Sequence, residues 1–183
     1  MKRIAVSAFV ITGLLVSTLA LAGAYDDVVR CQAAFQQAKS WHAEEHLPNG
    51  KTVAVDYSAP GRWRIQPSPT MTELVIGNDI YMVRNGRATK MPFGGALVSR
   101  MIERFRLPAN DDEMKKTIRD LGSQKLNGQT VHVYAYTVRG VPETLYVGKD
   151  SLPVQAVTKN KGKTTTINYS KFNESLSIEV PSP

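Results

Sequence analysis

Apolar residues change their spacing once near the start of the chain. Val28, Cys31, Phe35 and Ala38 recur three and four apart, with Arg30, Gln32, Gln36, Gln37 and Lys39 between them. That is the stripe of an amphipathic helix. It begins at Asp26 and Asp27, acidic residues suited to a helix N-terminus, and runs to about Ser40. From Trp41 the period drops to two. Trp41 to Leu47 predicts a strand, and Pro48-Asn49-Gly50-Lys51 predicts a hairpin turn. Val53, Val55 and Tyr57 share one face of the next strand. Trp63 and Ile65 alternate with Arg62, Arg64 and Gln66 in the one after it. Glu73 to Ile76 and Ile80 to Val83 form a further pair around Gly77-Asn78-Asp79, and Asn85-Gly86 turns again.

The middle of the chain returns to helical spacing. Leu97, Val98, Met101, Ile102 and Phe105 form one stripe, preceded by the flexible Phe93-Gly94-Gly95 and stopped by Pro108. Asn110-Asp111-Asp112-Glu113 resembles an N-cap cluster that opens a second short helix. Met114, Ile118 and Leu121 are its stripe, and Gly122 its expected C-cap. Strands resume at Val131 to Val138, Glu143 to Val147, Val154 to Lys159, Thr164 to Tyr169 and Leu176 to Val180. The order predicts an α+β protein built on one antiparallel meander.

The first 24 residues read as an export leader. Lys2 and Arg3 precede an uncharged apolar run from Ile4 to Ala22, and Ala22-Gly23-Ala24 offers a cleavage site, with Ala20-Leu21-Ala22 as a second choice. No cysteine stands at either site, so lipidation is not expected. Residues 25–183 then form one domain in the periplasm, expected to act as a monomer. The chain carries a net charge of +7, of which Lys2 and Arg3 leave with the leader. A basic surface suits anionic partners, and for an exported chain these are lipid headgroups or acidic proteins rather than nucleic acid. Cys31 is the single cysteine, so no internal disulfide is expected. Its place on the helix stripe predicts a buried thiol.

One motif carries metal chemistry. His42-Ala43-Glu44-Glu45-His46 fits H-x-x-E-H, the inverted zinc-protease pattern. A helix would put both histidines on one face, with Glu103 or Glu113 as a third ligand. The segment reads as a strand, however, and four residues of strand separate the rings by about 13 Å, too far to share an ion. His132 alternates with Val131 and Val133 and reads as a surface or barrel-edge histidine. No nucleophile elbow or P-loop appears. Neither an enzyme nor a metal or other cofactor is expected.

Several runs together resemble the LolA-like superfamily. They are Ser40-Trp41-His42-Ala43, Tyr57 to Arg64, Glu73 to Tyr81, Leu145 to Lys149 with Leu152-Pro153, and Tyr169 to Pro181. That superfamily includes the periplasmic lipoprotein carriers of Gram-negative bacteria, the lipid-binding LppX and LprG type, and the N-terminal domain of the stress regulator RseB. The resemblance implies an antiparallel half-barrel covered by an N-terminal helix and short middle helices, with an apolar interior that accepts acyl chains. Strand residues implied to line it are Val53, Val55, Tyr57, Trp63, Ile65, Leu74, Ile76, Tyr81 and Val83. Leu97, Met101, Ile102 and Phe105 belong to the implied cover. Adaptable Met82, Met91 and Met101 suit its mouth. Arg62, Arg64, Arg100 and Arg104 are candidates for an anionic headgroup, although singly each also reads as solvated surface. Lipoprotein carriers proper have Arg before the Pro of the second strand, and here Ala59 precedes Pro60. The resemblance therefore implies a lipid carrier or chaperone without that latch. Its alternative is an envelope sensor of the RseB type that binds a partner protein of the inner or outer membrane.

Overall fold

The computed structural model describes residues 16–92 and 112–181, with side chains from residue 23 onward. Helix α1 spans Val16–Gln37. Six strands follow: β1 Ser40–His46, β2 Thr52–Ser58, β3 Arg62–Ser68, β4 Met71–Ile76, β5 Asp79–Arg84 and β6 Arg87–Lys90. A short helix, α2, covers Asp112–Thr117. Strands β7 Arg119–Leu126, β8 Gln129–Val138, β9 Val141–Val147, β10 Pro153–Asn160 and β11 Lys163–Ser170 complete the chain, with a 3-10 turn at Lys149–Ser151 before β10.

All eleven strands form one sheet in the order β6-β5-β4-β3-β2-β1-β11-β10-β9-β8-β7. Every pairing is antiparallel between chain neighbours except β1 with β11, where His42 faces Ser170 and His46 faces Thr166. The sheet is therefore two meanders joined along their oldest and newest strands. Turn chemistry explains the short connections. Asn85 and Gly86 both take positive φ, 51° and 76°, as a two-residue hairpin of matching twist requires.

Residues opposite each other in an antiparallel ladder project to the same side. One rung runs Trp41, Tyr57, Trp63, Val75, Ile80. The next runs Tyr169, Ala43, Val55, Ile65, Glu73, Met82. A third, on the other meander, runs Tyr134, Leu145, Ala156, Ile167, Glu45, Val53. These rungs define the inner face. α1 packs there through Phe35, whose ring lies 5.2 Å from Trp41 and 5.3 Å from Tyr169. Val28, Cys31 and Ala38 join the same buried cluster, as do Met114 of α2 and Ile118 beyond it.

Three sequence expectations are corrected here. The second middle helix stops at Thr117, and Arg119 to Leu126 is an edge strand instead. Leu121 is exposed, and Gly122 occupies a bulge between Asp120 and Ser123 rather than a helix cap. Residues 174–181 form no strand. They run along the outer face, where Ser40 Oγ donates to the Glu174 carbonyl and Arg62 Nη1 donates to the Ile178 carbonyl at 2.9 Å. β6, too short and polar for its periodicity to register, went unpredicted. α1 also begins at Val16, inside the segment read as leader. The expected cover, with Leu97, Met101, Ile102 and Phe105, lies outside the described residues.

Candidate functional site: the inner face of the sheet

The face that α1 packs on is aromatic at its centre. Trp41 contacts Tyr57 at 5.7 Å and Trp63 at 5.4 Å between ring centroids, and Tyr57 contacts Trp63 at 4.8 Å. Val53, Val55, Trp63 and Ile65 are buried, and Tyr57 is half-buried. These five expected lining residues share one face, together with Val75 and Ile80, which sequence reasoning missed.

Leu74, Ile76, Tyr81 and Val83 project to the opposite face. Their mutual pairing was legible: Leu74 faces Tyr81 across a tight turn. Their phase was not. Extending the Ser68–Met71 pair regularly would set Ile65 opposite Leu74 and Trp63 opposite Ile76. A register shift between Ile65 and Ser68 instead puts Ile65 opposite Glu73 and Trp63 opposite Val75. One extra residue at a bulge reverses every side chain beyond it. Pro67 and Pro69, which cannot donate to a ladder, were the available signal.

Polar groups are also held on the inner side. Burial pushes the Tyr136 hydroxyl well above its usual range, and the adjacent carboxylate of Glu143, hydrogen-bonded to it, adds to this. Burial likewise raises Tyr169, with Glu143 and Glu45 as nearby negative groups. The Cys31 thiol is pushed up to about 12 by burial. It is therefore a neutral core group, not a nucleophile. The Glu73 carboxyl is raised by partial burial on the same face. Tyr134 donates to Asp27 Oδ2 at 2.8 Å, which ties β8 to α1.

The outer face carries an ordered chain of polar contacts across three strands. His42, Asp56 and Arg64 are successive members of one rung. His42 Nδ1 lies 2.7 Å from Asp56 Oδ1, and Arg64 Nη2 lies 2.7 Å from Asp56 Oδ2. Arg64 is thus engaged by Asp56, as Arg62 is by the Ile178 carbonyl. His42 and His46 stand on either side of Glu44, at 3.7 and 3.9 Å. Among the described residues no group of three or more His, Cys, Asp or Glu side chains is arranged to hold a metal ion. His132 stacks on Tyr134 and approaches Asp120 Oδ1 at 2.6 Å. Burial alone would raise Asp120, but the Gly122 amide and His132 hold its carboxyl below the usual range.

Two solved structures share this architecture over most of their length. The lipoprotein LppX of Mycobacterium tuberculosis is 14% identical, with a TM-score of 0.62 over 89% of this chain and 100% of that one. The fold is the LolA-like half-barrel. LprF of Mycobacterium bovis agrees equally, at 14% identity and a TM-score of 0.62 over 88% of this chain and 98% of that one. No family model matches the chain, and no curated protein matches it. Among the described residues no helix is long and apolar enough to cross a membrane, which leaves membrane crossing by strands as a separate matter.

Proposed function

We propose that this chain is an exported lipid-binding protein whose inner face shelters acyl chains, as a carrier or chaperone, without performing a reaction. The observation that carries the reading is the make-up of that face. It is apolar and aromatic across five strands, from Trp41 through Tyr57, Val55, Trp63 and Ile65 to Val75 and Ile80, and largely kept from water. Hydrocarbon laid along such a face gains about 0.8 kcal/mol for each methylene removed from water. The half-barrel shared with the lipoprotein LppX supports the same reading. Export would follow cleavage near Ala24, leaving Tyr25 at the new N-terminus.

The test uses an accident of composition. The chain has only two tryptophans, Trp41 and Trp63, and both stand on the inner face. Their fluorescence therefore reports that face alone. A fatty acid brominated along its chain should quench it saturably, and native mass spectrometry of protein isolated from the periplasm should reveal bound lipid. Unchanged fluorescence together with a bare polypeptide mass would overturn the proposal.

A further inference from the structure

The two rims of the half-barrel differ in charge. At one rim stand the turns β1–β2, β3–β4, β5–β6, β8–β9 and β10–β11. Their tips and flanking positions carry Lys51, then Arg84 with Arg87, then Arg139, then Lys159, Lys161 and Lys163, all exposed. None of the five turns contains an acidic residue. Among the described residues Glu113 accepts from the Gly140 amide at 3.0 Å, and on α2 Asp112 and Glu113 are followed by Lys115 and Lys116. Between α2 and the β8–β9 hairpin a groove of about 590 Å³ has Lys116, Arg119 and Lys159 along its walls, with Glu143 as its one carboxylate. The opposite rim carries a smaller excess: Lys39, Arg62, Lys90, Lys125, Lys149 and Lys171 stand among Asp79, Asp150 and Glu174, and Lys90 is paired with Asp79 at 2.8 Å.

The backbone gives a second, independent indication. Two-residue hairpins favour Asn or Gly first, because that residue must take positive φ. Asn85 and Asn127 obey this. At two tips of the basic rim a cation stands there instead, Arg139 at φ 51° and Lys161 at φ 48°. Long side chains occupy that conformation at a cost. Lys171 on the other rim also takes it, at φ 53°, but in the tail beyond β11 rather than at a two-residue hairpin tip.

We infer that this rim docks the protein on an anionic membrane surface. The charges are spread along the edge of eleven strands, roughly 50 Å of sheet width at about 4.8 Å per strand. Separate lysines on a broad arc match a fluid surface of many headgroups better than one phosphate, which would need convergent donors. They also match it better than a folded acidic protein, whose charges would have to follow the same arc. The docking is distinct from acyl-chain binding at the inner face and does not depend on it.

The experiment is co-sedimentation of the full exported chain with vesicles of phosphatidylcholine, with and without phosphatidylglycerol. Binding should require the anionic lipid and should vanish as salt shortens screening from about 10 Å at 0.1 M to about 3 Å at 1 M. Lys159→Gln/Lys161→Gln/Lys163→Gln should weaken partitioning at least about tenfold, since each cation near such a surface contributes separately. Lys39→Gln/Lys149→Gln/Lys171→Gln changes net charge equally on the other rim and should leave it nearly unchanged. Arg139→Asn/Lys161→Asn should melt higher yet bind more weakly, a pairing that a purely structural role would not give. Equal losses from both triple variants would overturn the inference, as would equal binding to neutral vesicles or no vesicle binding at all. Fluorescence quenching by the brominated fatty acid should survive in every variant, so failure here leaves the inner-face reading standing.

Discussion

Trp41 and Trp63 meet edge to face, 5.4 Å between ring centroids at 81°, although β2 lies between their strands. Side chains two strands apart touch readily only on the inside of a curve, where a sheet's residues converge over the strand between. Tyr57 is that intervening residue and packs on both rings. Trp63→Ala should destabilise the fold by about 3–5 kcal/mol, the usual cost of emptying a large aromatic site. Trp41→Ala should cost as much. The double variant should cost less than the sum, by about 0.5–1.5 kcal/mol for the ring contact. Urea denaturation of the four proteins measures each value, and strict additivity would disprove the coupling.

Asp56 holds both His42 and Arg64 on the outer face. Its side chain is 12% exposed while that of Arg64 is 40% exposed, so screening weakens the arginine side more. Asp56→Asn keeps the shape and removes the charge, and should cost about 1–3 kcal/mol. In an Arg64→Gln background the same change should cost less, because one partner is already gone. Chemical denaturation with and without 1 M salt separates the ionic part of the loss.

Alkaline conditions should unfold the protein sooner than its charge alone would suggest. Cys31 has an ordinary value of 9.0 and sits at about 12 in the fold, raised by burial. A thiol held protonated contributes stability that is complete below pH 9.0 and declines as pH rises toward about 12. Burial shifts Tyr136 and Tyr169 in the same direction, so they steepen the decline. Cys31→Ala should flatten the curve across that window in thermal melts. In the native protein a thiol reagent should modify Cys31 only as fast as the chain opens, and prompt labelling at neutral pH would contradict its burial.

The tail beyond β11 should matter more than its lack of regular structure implies. Asn173 N donates to the Ser40 carbonyl at 2.9 Å, and Arg62 holds the Ile178 carbonyl. Ile178 is 2% exposed, and Leu74 on the outer face is 3% exposed. Neither belongs to the core cluster around α1. Ile178→Ala should cost about 2–4 kcal/mol, and removal of 174–183 at least as much. Deletion without a change in denaturation midpoint would show the tail to be idle.

The strands between Trp41 and Ile65 were legible because one face alternates apolar with polar on the other, as in Trp63 and Ile65 against Arg62 and Arg64. Beyond Ser68 both faces are apolar: Leu74 and Ile76 oppose Val75, and Tyr81 and Val83 oppose Ile80. Periodicity then locates the strand without saying which side is inside, and the bulge near Ser68 decides it. At Asp112 the same limit appeared in another form. Met114 and Ile118 satisfy a helical spacing, and Leu121 extended it by coincidence into what became β7. The thiol at Cys31 was read correctly because a single stripe on a single helix leaves one buried side. The rim charges went unread as a group, since hairpin tips far apart in sequence become neighbours only after the meander is drawn.

The pairing of β1 with β11 sets a timetable for the molecule. The strands that complete the sheet's centre are the first and last of the meander, so a ribosome must release nearly the whole polypeptide before that seam can zip. Until then each meander exposes an unsatisfied strand, an open edge with which another chain could pair.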